Sequence, residues 1–275
     1  MRTKDTSSAV NAWAICAAAF AAAALFAAGC GGKRAHSLNI VGSTSIQPFA
    51  EMLAEEYHRK FPDRSVDVQG GGSTAGLQAA ANGLADIGTC SRSLAPEEAA
   101  RFSSFVIARD GLAIVVHPSN PVMTLTRQQL RGLFVGWAEN WKDVGGADGP
   151  VRVITREEGS GTRESFVKLV MEKERISPAA LTQESNGAVK ELVRNDPAAI
   201  GYMSLGLVGK ELKTVAIDGV EPTAENVLRG KYTLARPFLF VTRGEPSADA
   251  RAFIDYALSD EGQKVLEAEG LVRAK

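Results

Sequence analysis

The residues placed to do chemistry are glycines with neighbouring hydroxyls. Three runs share one layout: glycine beside serine or threonine, after an apolar stretch and before a helical pattern. They are Gly42-Ser43-Thr44-Ser45, Gly72-Ser73-Thr74 and Gly159-Ser160-Gly161-Thr162, with Ser185-Asn186-Gly187 a weaker fourth. A helix start leaves backbone N–H groups unpaired and carries a partial positive charge. Together these make a site for an anion. Glycine lets the backbone come close to the ligand, and hydroxyls add short hydrogen bonds. Each run alone also fits an ordinary N-cap, and the two roles are compatible. Three such starts in one chain tip the balance towards anion binding. Arg156, six residues before Thr162, is either a surface arginine or a bidentate donor to an oxyanion. Arg163 sits in a first helical turn, where a cation opposes the dipole. It either faces the ligand or is tolerated beside Glu158 and Glu164.

Other chemistries fit poorly. No G-x-x-x-x-G-K-[ST] loop is present, and Gly70-Gly71-Gly72-Ser73-Thr74-Ala75 is a degenerate match to a dinucleotide fingerprint. Neither Ser73 nor Ser160 has the G-x-S-x-G frame of a serine hydrolase. The three histidines, His36, His58 and His117, are scattered and lack zinc-ligand spacing. The inventory therefore argues against an enzyme and implies no metal and no cofactor. Lys and Arg total 31 against 32 for Asp and Glu, a net charge of −1. A chain so balanced has no long-range basic field for nucleic acid. Its 275 residues, 45% hydrophobic and 23% charged, match a soluble globular chain of one large domain or two ordinary ones.

The elements that must position these runs alternate. Leu38–Val41 is an apolar strand, followed by a helix with Ile46, Phe49, Ala50, Leu53, Ala54 and Tyr57 at helical spacing. Val66–Val68 leads through Gly70-Gly71-Gly72 into a helix carrying Leu77, Ala80, Ala81 and Leu84. Ala85–Gly88 is a third strand, running to Cys90-Ser91-Arg92. Strand, Gly/Ser turn and helix in repetition mark an α/β domain with a parallel sheet. In such sheets helix starts gather at the carboxyl ends of the strands, where ligands bind. Phe105–Val116 is a long extended stretch with Asp110-Gly111 inside it, Val151–Thr155 a strand running into Arg156, and Phe238–Val241 a strand flanked by Arg236-Pro237. Residues 248–270 form one or two amphipathic helices. If there are two lobes, the chain crosses between them near Asp110 and Phe238.

The first thirty residues are an address. Arg2 and Lys4 precede an apolar run from Ala12 to Ala28, and Gly29-Cys30 follows. The pattern resembles a bacterial lipoprotein signal peptide at 1–29, with Cys30 lipidated and residues 30–37 a tether. Leucine is missing three residues before the cysteine. Ordinary secretion and an uncleaved anchor are the alternatives, and all three export the rest of the chain. Cys90 then remains as a lone thiol, buried and inert.

At the three Gly/Ser runs the sequence resembles the periplasmic phosphate-binding proteins of ABC-type phosphate importers. Ala85-Asp86-Ile87-Gly88 with Ser91-Arg92, Ile107–Val116, Asn140-Trp141, Ala199–Gly206 and Leu258–Gln263 extend the match in order along nearly the whole exported chain. The resemblance implies a type II-like periplasmic binding protein: two α/β lobes, each a mainly parallel sheet flanked by helices, joined by a hinge. Lobe 1 is expected at 38–115 plus 238–275 and lobe 2 at 116–237. The implied phosphate ligands are Ser43, Thr44, Ser45, Ser73, Ser91, Asp110, Arg156, Ser160, Gly161 and Thr162. Some members carry an aspartate where this chain has Ser91, so Asp110 is the expected acceptor for the phosphate proton, with a structural hinge role as the alternative. Such an acceptor leaves fully deprotonated sulfate unsatisfied. Arg92 is expected to face the ligand or to neutralise Asp110. The implied partners are inorganic phosphate, the importer's membrane permease and the membrane itself, through lipid such as palmitate on Cys30, with the protein a monomer. A binding protein for sulfate or molybdate, a phosphate sensor or adhesin, and an exported phosphatase are the competing readings.

Overall fold

The computed structural model describes residues 37–274. The signal, the cut-site Cys30 and most of the tether lie outside the described residues.

Strand β1 (Leu38–Gly42) is flanked by β2 (Val66–Gly70) and β3 (Ile87–Cys90), both parallel to it. Helix α1 (Gln47–Lys60) follows β1, and α2 (Ser73–Ala81) follows β2. Apolar spacing sets their buried faces: Phe49, Ala50, Leu53, Ala54 and Tyr57 on α1, and Leu77 and Ala80 on α2. Leu84 falls beyond the end of α2 and is exposed; Gly83 at positive φ turns the chain before another helical turn can form.

A short α3 (Pro96–Ala99) leads into β4 (Phe102–Val116), a single strand of 15 residues. The second half of the chain then adds β5 (Thr124–Leu125), α4 (Arg127–Val135), β6 (Arg152–Arg156), α5 (Gly161–Phe166), β7 (Leu181–Gln183), α6 (Asn186–Asn195), β8 (Ala199–Ser204), β9 (Lys213–Ile217) and α7 (Ala224–Leu228). Helix α5 continues as a π-turn through Met171. Strand β10 (Ala235–Arg243) returns the chain, and α8 (Ala248–Leu258), α9 (Asp260–Ala268) and β11 (Val272–Arg273) close it.

The sheet order is β2-β1-β3-β10-β4-β8-β6-β7. Its outer pairs are parallel, as helical crossovers require. The central strands β10 and β4 are antiparallel to each other, and each is antiparallel to its outer neighbour. The central pair belongs to both halves. One core packs Leu38, Ile40, Phe49, Leu53, Ile107, Phe238, Phe240 and Phe253 under α1 and α8. A second packs Leu112, Ile114, Val116, Leu133, Phe134, Phe166, Tyr202 and Leu234 under α4 and α5. Smaller cores under α2 and α6 cover the opposite faces. Cys90 lies in the one under α2, fully buried, and burial pushes its thiol pKa up. The chain thus crosses between cores within β4, near Asp110, and within β10, near Arg236.

Candidate functional site

Four helix starts from the two halves meet. Gly42 ends β1 at φ 145°, where an added Cβ would lie within 3 Å of the Thr89 side chain, so the turn needs glycine. Beyond it, the Ser43 hydroxyl accepts from the Ser45 N–H (3.2 Å), a local turn bond. That frees the Ser45 hydroxyl to point inward. Ser45 Oγ lies 2.8 Å from Thr162 Oγ1 and accepts from Asn186 Nδ2 (2.9 Å). Ser45 starts the α1 turn, Thr162 belongs to α5, and Asn186 is the first residue of α6.

Ser73, the first residue of α2, accepts from the Ser91 N–H (3.0 Å), and the two hydroxyls are 3.4 Å apart. Against them lies Gly161: a Cβ there would come within 2.7 Å of Ser91 Oγ and closer still to Ser73 Oγ. The helix caps separate the hydroxyls residue by residue. Ser160 caps α5, accepting from the Arg163 N–H (3.3 Å), and Ser185 caps α6. Ser45, Ser73, Ser91 and Thr162 cap nothing and are buried together.

Two buried guanidinium groups lie at this cluster, one bordering it through Thr44 and one entering it. Arg156 leaves the end of β6 and is 1% exposed. Its Nε bonds to Glu157 (2.9 Å) and the Gln183 carbonyl (3.1 Å), and its Nη2 to Thr44 Oγ1 (3.1 Å) and the Glu184 carbonyl (3.1 Å). Its Nη1 is buried and has no hydrogen-bond partner. Buried donors are rarely left so, because an unpaired one forfeits its hydration. Arg236 is the second, 4% exposed. Its Nη1 donates to Thr162 Oγ1 (2.7 Å) and the Ser91 carbonyl (3.3 Å), and its Nη2 to Ser45 Oγ (3.2 Å). The sequence marked Arg236 only as the flank of a strand. It is also the direct ladder partner of Asp110 across β10 and β4.

Asp110 is buried, as expected of a cleft residue, and it touches the site through Arg236. Its Oδ2 accepts from Arg236 Nε (3.1 Å) and Nη2 (3.0 Å), and its Oδ1 from the Ser204 hydroxyl (3.0 Å). Burial pushes the Asp110 carboxyl up from its ordinary value; the adjacent guanidinium and the hydroxyl pull it back. Burial likewise lowers Arg236.

Arg92 takes neither expected role. It grips Glu98 through two bonds (2.6 and 2.9 Å) and pairs through Nε with Glu164 of α5 at 2.7 Å. Arg163 turns back to the Arg156 carbonyl (2.8 Å). Both line a groove of about 820 Å³ beside the site, together with Glu98, Glu164, Lys168 and part of Arg236. Its charges alternate in sign.

The arrangement can hold one compact oxyanion by hydroxyls, backbone N–H groups and guanidinium donors. Neither His58, which bonds the Arg64 carbonyl, nor His117, which bonds Ser119, belongs to it. Among the described residues no group of three or more His, Cys, Asp or Glu side chains could hold a metal ion, and no helix is long and apolar enough to cross a membrane.

A family model for the PBP superfamily domain matches residues 29–261. The phosphate-binding protein PstS of Bacillus subtilis is 33% identical over 237 residues, covering 84% of this chain and 78% of its own length. A putative phosphate ABC transporter substrate-binding protein from Clostridium perfringens, solved with bound phosphate, superposes with a TM-score of 0.85 at 40% identity, covering 87% of this chain and 100% of the other. An ABC-type phosphate transport receptor from Vibrio cholerae superposes at 0.73, also at 40% identity, covering 86% and 99%. The fold and site define a periplasmic-binding-protein-like chain. Within that superfamily the chain belongs to the PstS family of phosphate-binding proteins.

Proposed function

We propose that this protein binds inorganic phosphate outside the cytoplasm and delivers it to the membrane permease of an ABC-type importer. It is a binding protein and not an enzyme. The observation that carries the reading is the buried cluster of four hydroxyls that cap no helix, bordered by Arg156, which bonds Thr44 and has a buried, unpartnered Nη1. An oxyanion placed there satisfies that donor and accepts from the hydroxyls of Ser45, Ser73, Ser91 and Thr162 and from the start of α5. Thr44 orients Arg156, while Ser43 and Ser160 shape the turns that present the others.

The lobes divide at Asp110–Gly111 and at Ala235–Arg236, because Leu112, Ile114, Val116 and Leu234 pack in the second core. This moves the expected boundary towards the N-terminus of β4. Closure of the lobes over phosphate then brings Ser45 to Thr162 and supplies the signal that the permease reads. The N-terminal signal and Cys30 support export with lipid attachment to the membrane, and the protein acts as a monomer.

Calorimetric titration of the whole chain, stripped of bound anion, with phosphate and then sulfate tests the reading. Tight phosphate binding with little sulfate heat is expected. No heat with phosphate would overturn it and turn attention to molybdate and other oxyanions.

A further inference from the structure

The expectation that Asp110 accepts the phosphate proton meets a counting problem. An ionised carboxylate has about four lone-pair positions for hydrogen bonds. In Asp110, Oδ2 already receives two N–H groups of Arg236, and Oδ1 receives the Ser204 hydroxyl. That leaves one position at most, on Oδ1. The side chain is also wholly buried behind Arg236.

The donors of Arg236 are also all engaged, but those not spent on Asp110 point into the hydroxyl cluster. Its Nε and one side of Nη2 are spent on Asp110. Its Nη1 reaches the Thr162 hydroxyl of α5 and the Ser91 carbonyl at the end of β3, with the Ser91 hydroxyl at 3.5 Å, and the other side of Nη2 reaches the Ser45 hydroxyl at the start of α1. Those are the hydroxyls that assemble the site from both halves. Its guanidinium carbon lies 5.3 Å from the Phe238 ring centroid, so an aromatic face fixes the other surface of the plane. Arg236 and Asp110 sit opposite each other on the two strands that cross between the halves.

We infer that Arg236 is the cation facing the anion at the base of the cleft, and that Asp110 is its positioning residue rather than the acceptor of the phosphate proton. Resting on the phosphate reading above, the inference assigns the discrimination against sulfate to groups other than Asp110. The neutral hydroxyls, which both donate and accept, then accept the hydrogen bond from the ligand's P–O–H group, with no proton transferred.

The two roles for Asp110 predict opposite responses to Asp110→Asn. An acceptor exchanged for a partial donor would weaken phosphate and strengthen sulfate. A positioning residue, once exchanged, loosens Arg236 and weakens every anion alike. The experiment is calorimetric titration of the whole chain and four variants, Asp110→Asn, Ser204→Ala, Arg236→Lys and Arg236→Met, with phosphate, arsenate and sulfate. Thermal melts run alongside to confirm folding.

Asp110→Asn is expected to weaken phosphate and arsenate by the same factor, about tenfold, with no gain for sulfate. Arg236→Met is expected to lose at least a hundredfold, and Arg236→Lys to recover part of it by keeping the charge without the fork. Ser204→Ala removes one bond from the far side of the carboxylate and is expected to cost phosphate a few-fold. It carries the test should Asp110→Asn fail to fold. Sulfate binding that strengthens in Asp110→Asn or Ser204→Ala overturns the inference and restores the acceptor role. Phosphate binding unchanged in Arg236→Met overturns it too. If the unaltered protein itself ignores phosphate, the functional reading falls and takes this inference with it.

Discussion

Ser45 and Thr162 stand 117 positions apart in the chain, yet their hydroxyls meet at 2.8 Å in a fully buried contact. Each comes from a helix start in a different half of the molecule, and Asn186 and Arg236 both donate to the same Ser45 oxygen. The contact therefore marks where the two halves meet. A hydrogen bond to a charged group contributes about 1.5–3 kcal/mol, and each 1.4 kcal/mol is about tenfold in affinity. Ser45→Ala and Thr162→Ala should each weaken phosphate roughly ten- to a hundredfold. The double variant should lose less than the product of the two, because neighbouring groups in one network are not additive. Isothermal titration of the three variants checks this, and full additivity would place the two hydroxyls in independent sites.

Gly161 tests closure rather than chemistry. Its Cα faces Ser73 and Ser91 so closely that any side chain collides with both. Both contacts are between halves, so the collision exists only when they are together. Gly161→Ala should leave the melting temperature nearly unchanged and lower phosphate affinity by more than tenfold. Small-angle scattering should show the contraction on adding phosphate in the parent and not in the variant. An equal contraction in both would mean that the halves meet elsewhere.

The local half of this site was legible in the sequence and the distant half was not. Glycine and hydroxyl residues at a strand-to-helix turn are a contiguous signal, so Ser43, Ser45, Ser73 and Thr162 stood out with their elements. Arg236 and Ser204 come from strand ends whose partners are set by tertiary pairing, and Asn186 showed only within the weaker fourth run. One signal was present for Arg236. The apolar stretches Phe105–Val116 and Phe238–Val241 with its flank carry charges of opposite sign at Asp110 and Arg236. Buried charges are nearly always paired, and an acid and a base set in two apolar central strands point to each other. The first crossing strand was legible because Phe105–Val116 is longer than one half of a sheet needs, whereas β10 extends beyond the reading Phe238–Val241 at both ends. The short strands β5, β7 and β11 hold too few residues for any period to show.

Arg92 should act as a latch on release. It holds Glu98 in its own half and Glu164 of α5 in the other. The Glu164 side chain is 41% exposed, so the pair contributes only about 0.2–1 kcal/mol to closure. Glu164→Gln should speed phosphate dissociation by up to about fivefold in stopped-flow at low salt. The difference from the parent should shrink at high salt. Identical release rates at low salt would mean that the pair forms no barrier to opening.

The Glu98 partner gives a stability signature in acid. The bonds from Arg92 are the main reason its carboxyl lies below the usual carboxylate range, with a smaller contribution from the Ala95 N–H. A depressed carboxylate binds its proton more weakly folded than unfolded. Its stabilisation is complete above the unfolded value, about pH 4.3, and is lost as pH falls through the folded one. The urea midpoint should therefore drop below about pH 4.3, and Glu98→Gln should flatten part of that drop while lowering the plateau near neutrality. Parallel acid limbs in parent and variant would assign the drop to other carboxylates.

Tyr202 links the second core to the ligand groups. Its hydroxyl lies 2.7 Å from Thr155 Oγ1 and accepts from the Arg156 N–H at 3.2 Å. Its ring stacks on Phe166 with centroids 4.1 Å apart. The one side chain thus fixes both the strand end that releases Arg156 and the helix that begins at Gly161. Tyr202→Phe keeps the stack and removes the hydroxyl, leaving Thr155 and the Arg156 N–H without it in a buried place. An unsatisfied buried group costs about 1–3 kcal/mol, so the urea midpoint should fall by the equivalent of that amount. Phosphate affinity should fall several-fold as well, because Arg156 is then held less firmly. A stability loss with untouched affinity would show that Glu157, Thr44 and the β7 carbonyl orient Arg156 without help from the core.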